Sequence, residues 1–396
     1  MPKLLQINIT ANSGATGKIT EEIGAEAIRH GWESYVAYSR GIPISQSNLV
    51  TVGSRYDMRR HGLLTRLTDA HGLGSAKATK ALIERIRTIG PDIIHLHNIH
   101  GYYLNYPRLF DYLREWGGPV VWTLHDCWAF TGHCAHFEDA GCRRWEVQCH
   151  HCPLRNTYPI SWFADRSTRN YLDRKAAFTS LPNLTLVSPS KWLDNILGRS
   201  FLAGFDRRVI HNGIDINLFH PYGQPGQEER MVLATAWVWN RAKGLDDLIN
   251  LSRMLPANYR LCIVGLSEKQ RRELPPSIKG ITRTENQKAL AQLYSKASVF
   301  VNPTYGDTFP TTNLESLACG TPVVTYRTGG SPEAISESTG RVVERADIPA
   351  LYNAIIELGK LPQKELSRNC RRRAEELFDQ RRRFVEYVDL YDSLIG

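Results

Sequence analysis

Short runs of apolar and β-branched residues alternate along the chain with longer segments of helical periodicity. The runs in the first half occupy 4–9, 35–38, 93–97, 120–124 and 184–187. A second series occupies 208–210, 231–236, 260–264, 298–302 and 321–325. Buried strands that alternate with helices form parallel sheets from βαβ units. The pattern therefore predicts an α/β protein with two parallel sheets.

A segment without periodicity separates the two series. Residues 212–230 are rich in Gly, Pro and polar residues, as is typical of an interdomain linker. We predict an N-terminal domain over 1–205, with a cysteine-rich insertion at 127–165, and a C-terminal domain over 206–375. The remaining residues, 376–396, are predicted to form a helix that packs on the N-terminal domain.

The prediction for this last helix depends on its aromatic residues. Phe384, Tyr387 and Tyr391 have the spacing of one helical face, so we expect that face to be buried. The alternative is an ordinary solvated terminal helix. The apolar content of the 396 residues, 42%, is ample for two cores and excludes a disordered or fibrous protein.

No apolar run approaches the roughly 18 residues of a membrane span, and the first residues lead directly into a strand pattern. We therefore expect a cytoplasmic protein. Lys and Arg number 49 against 40 Asp and Glu, and this excess of nine positive charges indicates an anionic partner. Two segments, 55–87 and 360–383, each carry an excess of five.

The first of these basic segments also contains four leucines, Leu63, Leu64, Leu67 and Leu73. Basic residues beside exposed leucines favour an anionic membrane surface, here the inner face of the plasma membrane. The alternative is a helix packed by its leucines with a solvated basic face.

Two glycines follow the first predicted strand and open a helix. Gly14 and Gly17 could expose backbone amides to a phosphate or a sugar oxygen. The spacing is not that of a Walker loop or of a dinucleotide fingerprint. A tight strand-to-helix turn without a ligand is the alternative.

The second domain carries a more specific pattern around two acidic residues. Asp307 lies in a predicted loop, 308–313 begin a helix, and Glu315 follows with seven residues between the two acids. Free amides at a helix start favour phosphate, and carboxylates accept hydrogen bonds from hydroxyl groups. A ligand that combines hydroxyl groups with phosphate is a nucleotide sugar.

Four cysteines fall within nineteen residues of the predicted insertion: Cys134, Cys142, Cys149 and Cys152. In a reducing compartment this number of thiols suits a closed tetrahedral zinc site that stabilises an irregular loop. The alternatives are unligated thiols, disulfides formed on isolation, and a site that uses His133 or His150.

Several motifs, in their order along the chain, resemble the retaining glycosyltransferases of family four. They are Asn212-Gly213-Ile214-Asp215, Lys243-Gly244, Asp307-x7-Glu315, 318–324 and 329–333. Residues 94–102 and 121–134 further resemble a bacterial polysaccharide subgroup. The resemblance implies a GT-B fold, in which two Rossmann-like domains face each other across a cleft. The second domain would bind the donor and the first the acceptor.

The resemblance also implies roles for residues of the second domain. Glu315 would bind the ribose hydroxyls and Asp307 the donor sugar, while Lys243 would neutralise the diphosphate. The segment that follows Asp307 would contact sugar or phosphate through the residues Phe309, Pro310, Thr311 and Thr312, with its backbone N–H groups as donors.

This sequence departs from the family pattern at two places. The first acid is Asp307, one methylene shorter than the usual glutamate. The arginine expected before the lysine is replaced by Trp237 and Val238, so we predict that Arg241 contacts the diphosphate, the alternative being a surface charge. Arg283 is expected near the nucleobase.

In similar enzymes Lys, Arg and helix amides stabilise the departing phosphate without an essential metal, and the leaving phosphate assists the attack on one face. We therefore assign no protein nucleophile. His125 is expected beside the donor sugar. The alternative is a histidine whose hydrogen bonds are all made within the protein core. His97 and His100 are expected to line the acceptor cleft.

These observations predict a retaining glycosyltransferase that moves a sugar from a UDP- or GDP-sugar to a lipid-linked glycan in the synthesis of a bacterial surface polysaccharide. One alternative is a nucleotide-sugar epimerase on the same fold. Another is a zinc-containing nucleic-acid-binding protein, but the cysteine segment is not markedly basic, since it includes Glu138, Asp139 and Glu146. We therefore expect no nucleic-acid partner.

Overall fold

A computed structural model of the chain describes residues 1–41, 43–223 and 229–396, and its strands form two parallel sheets as the alternating pattern predicts. The chain divides into two units. The first comprises Met1–His211 and Arg383–Gly396, and the second comprises Asn212–Arg382. Residues 224–228 of the predicted linker lie outside the described residues.

The sheet of the first unit has seven strands in the order β3-β2-β1-β4-β5-β6-β7. Their bounds are β1 (Lys3–Ile7), β2 (Glu33–Tyr38), β3 (Asn48–Thr51), β4 (Ile93–Leu96), β5 (Val120–Thr123), β6 (Leu184–Ser188) and β7 (Asp206–Val209). The helices are α1 (Gly14–Arg29), α2 (Arg55–Thr68), α3 (Ala76–Ile89), α4 (Tyr106–Trp116), α5 (Ser167–Phe178) and α6 (Lys191–Leu197). The order reverses between β1 and β4, so the carboxyl ends of these strands border a crevice of the kind that binds ligands in open α/β sheets.

The sheet of the second unit has six strands in the order β10-β9-β8-β11-β12-β13. They are β8 (Arg230–Thr235), β9 (Tyr259–Val264), β10 (Ile278–Ile281), β11 (Val299–Asn302), β12 (Val323–Tyr326) and β13 (Gly340–Val343). Helices α7 (Leu245–Ser252), α8 (Glu268–Glu273), α9 (Gln287–Lys296), α10 (Thr311–Ala318), α11 (Ile348–Lys360) and α12 (Gln363–Leu377) accompany it, and α13 (Gln380–Ile395) ends the chain.

The sequence prediction is wrong or incomplete at the edges of both sheets. The run at 208–210 was expected to open the second sheet, but β7 pairs with β6 at the edge of the first. Strands β3, β10 and β13 were not predicted, and each of them is also an edge strand. Edge strands are exposed and carry polar residues, such as Asp206 and Arg207, so they lack the buried apolar run that marks a central strand.

The last helix returns to the first unit, as its aromatic face predicts. Phe384, Tyr387 and Tyr391 are buried in a cluster with residues of α1 and of the central strands. The ring of Tyr391 lies 5.6 Å from that of Trp32, whose indole nitrogen donates to Asp392 at 3.2 Å. Burial of three aromatic side chains contributes several kcal/mol, on the order of 2 kcal/mol each. The core of the first unit therefore includes the end of the chain.

Helix α2 begins at a capping box formed by Ser54 and Asp57, and its exposed face carries apolar residues. Leu63, Leu64 and Leu67 are exposed, whereas Leu73 packs against the core. The alternative interpretation was a helix packed by its leucines. It does not hold for Leu63, Leu64 and Leu67. Over the described ranges, the chain contains no helix with the length and apolar character required to cross a bilayer.

Candidate active site

In the second unit a lysine and an aspartate meet at the carboxyl edge of the sheet. Lys243 Nζ lies 2.8 Å from Asp307 Oδ2, and the other carboxylate oxygen accepts from the amide of Phe309 at 3.3 Å. Lys243 ends a single 3₁₀ turn that is capped by the side chain of Asn240. The amide of Tyr305 donates to Ala242 O at 2.8 Å and ties this turn to the loop that carries Asp307.

Two glycines permit the close approach of these loops. Gly244 has φ +73°, and a Cβ there would lie 2.2 Å from the carbonyl oxygen of Pro303. A Cβ on Gly329, which has φ +55°, would lie 1.8 Å from the carbonyl oxygen of Asp307. Both positions therefore require glycine. This close packing explains why glycine is present in the motifs Lys243-Gly244 and 329–333.

Glu315 is held by a tyrosine that the sequence analysis did not identify. The hydroxyl of Tyr294, on α9, donates to Glu315 Oε2 at 2.9 Å and also lies 2.8 Å from Thr235 Oγ1. Burial raises the pKa of Tyr294 well above its ordinary value, so the phenol remains a donor. A buried tyrosine has no sequence signal apart from helical periodicity.

The segment between the two acids begins helix α10. Pro310 is its N-cap residue, and no side chain caps the helix. Thr311 and Thr312 lie in the first turn, where backbone amides lack intrahelical partners, and both side chains are partly exposed. This turn has the polarity that favours an anion.

The remaining predicted residues of the second unit lie at the surface of the same edge. Arg241 is exposed and belongs to the same 3₁₀ turn as Lys243. The guanidinium of Arg283 lies 6.0 Å from the ring of Trp237, whose side chain is 80% exposed. An aromatic ring and a cation at a sheet edge offer a stacking surface.

In the first unit, Gly14 begins α1 and Gly17 lies in its first turn. The backbone of Gly14 has φ +67°, and a Cβ on Gly17 would lie 2.6 Å from Thr10 Oγ1. A tight turn therefore explains both glycines without a ligand. Ser13, the N-cap residue, makes no side-chain capping bond, so the turn also retains the polarity of a helix start.

His97 and His125 follow the adjacent strands β4 and β5, and their rings contact each other. Nδ1 of His97 lies 3.0 Å from Nε2 of His125, and Nε2 of His97 lies 3.0 Å from Gln6 Oε1. Burial lowers the pKa of His125 to about 4 and that of His97 well below its ordinary value. Both imidazoles are therefore neutral at neutral pH.

A histidine paired with an aspartate lies beside them. His100 Nε2 is 2.8 Å from Asp126 Oδ2, and its Nδ1 is 2.9 Å from the hydroxyl of Tyr158. Burial alone would raise the pKa of Asp126, but the charge and the hydrogen bond of His100 lower it to about 2. Asp126 is therefore ionised at neutral pH.

The four cysteines of the insertion line one pocket together with His133. Nδ1 of His133 lies 2.6 Å from Asp69 Oδ1, while its buried Nε2 has no hydrogen-bond partner. All four cysteines are free thiols. Within the described part of the chain, no group of three or more His, Cys, Asp or Glu side chains has an arrangement that could hold a metal ion.

Two sequence families match the chain. The family described as "Glycosyltransferase Family 4" matches residues 16–218, and that described as "Glycosyl transferases group 1" matches residues 229–360. A putative colanic acid biosynthesis glycosyl transferase, WcaC of Escherichia coli K12, is 23% identical over 424 aligned positions that cover 99% of this chain and all of the relative. An MMP α-(1→4)-mannosyltransferase of Mycolicibacterium hassiacum is 28% identical over 56% of this chain and 57% of its own length.

Solved structures are similar over the whole chain. Sucrose-phosphate synthase from Thermosynechococcus elongatus has a TM-score of 0.75 and 19% identity, with coverage of 100% of this chain and 99% of its own. Anabaena Alr3699/HepE, solved with UDP and glucose, has a TM-score of 0.68 and 15% identity, with full coverage of both chains. These likenesses concern the fold.

Proposed function

The chain belongs to glycosyltransferase family 4 and has the GT-B fold, and on this premise we propose that it transfers a sugar, with retention, from a UDP- or GDP-sugar to a glycan acceptor. The bond to be cleaved joins the sugar to a diphosphate, so the site must stabilise negative charge on the leaving group. We further propose that it acts in the biosynthesis of a bacterial surface polysaccharide, as the name of the WcaC relative suggests.

The observation that carries the proposal is the contact between Lys243 and Asp307, next to the first turn of α10. A cation supplies the charge that a diphosphate needs, and a carboxylate accepts from sugar hydroxyls. Glu315, oriented by Tyr294, supplies a second carboxylate for the ribose hydroxyls. Arg241 and the partly exposed Thr311 and Thr312 would complete the phosphate contacts without a metal in the chemical step.

Nucleotide binding provides the direct test. We expect either UDP or GDP, and its sugar conjugates, to raise the melting temperature of the protein, and the responsive base identifies the donor. At 100 times the dissociation constant the stabilisation is about 2.7 kcal/mol, which corresponds to several degrees. Glu315→Ala should fold and lose at least half of this shift, because a ribose contact is removed.

Glu344→Ala is a matched control, since Glu344 pairs with Arg327 on the surface of the same unit. The control should respond to nucleotide as the parent does. If no nucleotide stabilises the parent while Glu315→Ala keeps full transfer activity, the donor assignment is incorrect.

We also propose that the acceptor is lipid-linked and that the first unit binds an anionic membrane surface. The exposed face of α2 carries Leu63, Leu64 and Leu67. The amide of Trp162 donates to Arg66 O at 2.7 Å, which brings a loop with two exposed aromatic residues, Trp162 and Phe163, beside this helix. We call this surface the basic apolar face.

Four arginines belong to the basic apolar face: Arg55, Arg59, Arg60 and Arg66. Asp57 is the acid of the same helix, and it is engaged in the capping box. Apolar side chains surrounded by arginines match the acyl boundary and the negative head groups of an anionic bilayer. A protein partner would be expected to offer acidic side chains instead, and the aromatic residues favour the lipid interface.

The membrane proposal predicts flotation with vesicles that contain phosphatidylglycerol and none with pure phosphatidylcholine. Replacing Leu63 and Leu67 by serine should weaken binding at least about tenfold, since each leucine loses on the order of 1 kcal/mol of apolar transfer. Leu172→Ser is the control, because Leu172 is an equally exposed leucine of α5. Equal failure to float with both lipids would exclude this face as a membrane contact.

Finally, we propose that Cys134, Cys142, Cys149 and Cys152 bind a structural zinc ion after their side chains turn toward a common centre. Their shared pocket supports this. Four thiolates would leave no open position, so the role would be to stabilise the loop. Elemental analysis of tag-free protein should give about one zinc per chain; much less, with all thiols intact, would refute the proposal.

A further inference from the structure

A line of hydrogen bonds crosses the core of the first unit from α1 to His125. At its start, the side-chain nitrogen of Gln6 donates to the carbonyl oxygen of Thr20 at 2.9 Å. A carbonyl oxygen can only accept, so this contact fixes which end of the Gln6 amide carries the hydrogens. Gln6 is completely buried, and its Oε1 therefore faces away from α1.

The next contact fixes the tautomer of His97. Its Nε2 lies 3.0 Å from Gln6 Oε1, and an amide oxygen can only accept. The proton of the neutral His97 ring is therefore on Nε2, and Nδ1 carries a lone pair. The orientation of one amide thus determines the protonated nitrogen of a histidine on the neighbouring strand.

The same reasoning applies to His125. Its Nε2 lies 3.0 Å from Nδ1 of His97, and the two ring planes are within 16° of each other with centroids 5.3 Å apart, so the contact runs edge to edge. Because His97 Nδ1 is an acceptor, the neutral His125 must donate through Nε2. Nδ1 of His125 then has no proton and can only accept a hydrogen bond.

We infer that His97, oriented by Gln6, is a positioning residue that fixes His125 as the Nε2–H tautomer, so that His125 acts on a sugar hydroxyl as a hydrogen-bond acceptor through Nδ1. The identity of the ligand rests on the proposed function, whereas the tautomer does not. In this form His125 orients a hydroxyl group and cannot protonate a leaving group.

A neighbouring histidine provides a control. The ring of His95 lies against that of His97 at a tilt of 38°, with centroids 4.0 Å apart, but its nitrogens contact Tyr391 Oη at 2.6 Å and Thr123 Oγ1 at 2.8 Å. Tyr391→Phe therefore removes one buried hydrogen bond of His95 and leaves the contact between Gln6 and His97 in place. Gln6→Met removes the acceptor of His97 at similar side-chain volume.

The experiment is a two-bond ¹⁵N–¹H correlation spectrum of the full chain labelled with ¹⁵N in its histidine rings. His125→Asn and His97→Asn assign the two spin systems by loss of their signals. We expect both histidines as Nε2–H tautomers in the parent protein and in Tyr391→Phe. In Gln6→Met we expect His125 to populate both tautomers, with transfer about tenfold slower, equivalent to one well-oriented hydrogen bond.

Three results would overturn the inference. His125 could carry its proton on Nδ1 in the parent, or Gln6→Met could leave its tautomer unchanged. The third concerns a nucleotide sugar that binds. A hydrogen bond to Nδ1 of His125 should shift its ¹⁵N resonance upfield, and an unchanged resonance would contradict the inference. If no nucleotide sugar binds but the tautomers are as expected, the proposed function fails and the fixed tautomer stands.

Discussion

Lys243→Ala should lower the rate of sugar transfer by roughly two to three orders of magnitude, as the loss of one charge-stabilising group commonly does. The ammonium group is paired with Asp307 at 2.8 Å. We propose that, when the donor binds, the same group neutralises the diphosphate, whose charge increases as the sugar departs. The effect should therefore appear in kcat more strongly than in KM.

Asp307→Asn should separate binding from catalysis. Without its carboxylate partner, Lys243 is free to bind phosphate, so we expect UDP or GDP to bind up to about threefold more tightly, the modest gain typical of a partly exposed ion pair. Sugar transfer should fall instead, because a sugar contact is weakened. Calorimetric titration with the nucleoside diphosphate, together with initial rates, measures both effects.

Lys269→Ala is the matched control for these variants. Lys269 is 84% exposed and pairs with Glu273 at 3.9 Å in the same unit, so its removal should change neither binding nor rate. A folded Lys243→Ala protein with transfer within threefold of the control, on the scale of one weak contact, would contradict the role of this lysine.

Acidification should destabilise the first unit well before its carboxylates titrate. Burial lowers the pKa of His61 and of His125 to about 4 in the folded chain, against 6.5 for an ordinary histidine. The unfolded chain therefore takes up protons first as the pH falls. The stabilisation is fully present above pH 6.5 and is lost progressively toward pH 4.

The expected size follows from about 1.4 kcal/mol per pH unit for each proton. His61 and His125 alone should lower the free energy of unfolding by roughly 4 kcal/mol between pH 6.5 and 4.5. His71, His95 and His97, whose pKa values burial also lowers, add to this loss. Urea unfolding across this pH range measures the slope.

His61→Gln tests the assignment. In the folded chain Nε2 of His61 accepts from the amides of Gly72 and Gly74, at 3.1 and 3.2 Å, and protonation would oppose both donors. In this variant the number of protons taken up on unfolding should fall by about one, so the free energy of unfolding should depend less steeply on pH. A free energy of unfolding that stays constant between pH 7.5 and 5 would contradict this explanation.

The fold was largely predictable because the central strands carry their own signal. Runs such as 93–97 and 120–124 are buried on both faces, and continuous apolar composition marks them in the sequence. The edge strands β3, β7, β10 and β13 have no such signal, and one of them was assigned to the wrong sheet. Their pairing depends on neighbours that the chain reaches only after folding.

Only part of the candidate site could be predicted from the sequence. Motif spacing drew attention to Lys243, Asp307 and Glu315, and two of these side chains are in contact. The residues that orient them are not near them in sequence: Tyr294 is 21 positions from Glu315. Likewise Gln6 is 91 positions from His97, and only the adjacency of β1 and β4 brings the two together.

The return of α13 to the first unit has a consequence for synthesis of the chain. The second unit is continuous from Asn212 to Arg382, whereas the first needs residues from both ends. Because a ribosome adds residues in order, every residue of the second unit is synthesised before the aromatic face of α13. The core of the first unit therefore cannot be completed until the second unit has been synthesised, in contrast to the usual N-terminal-first order.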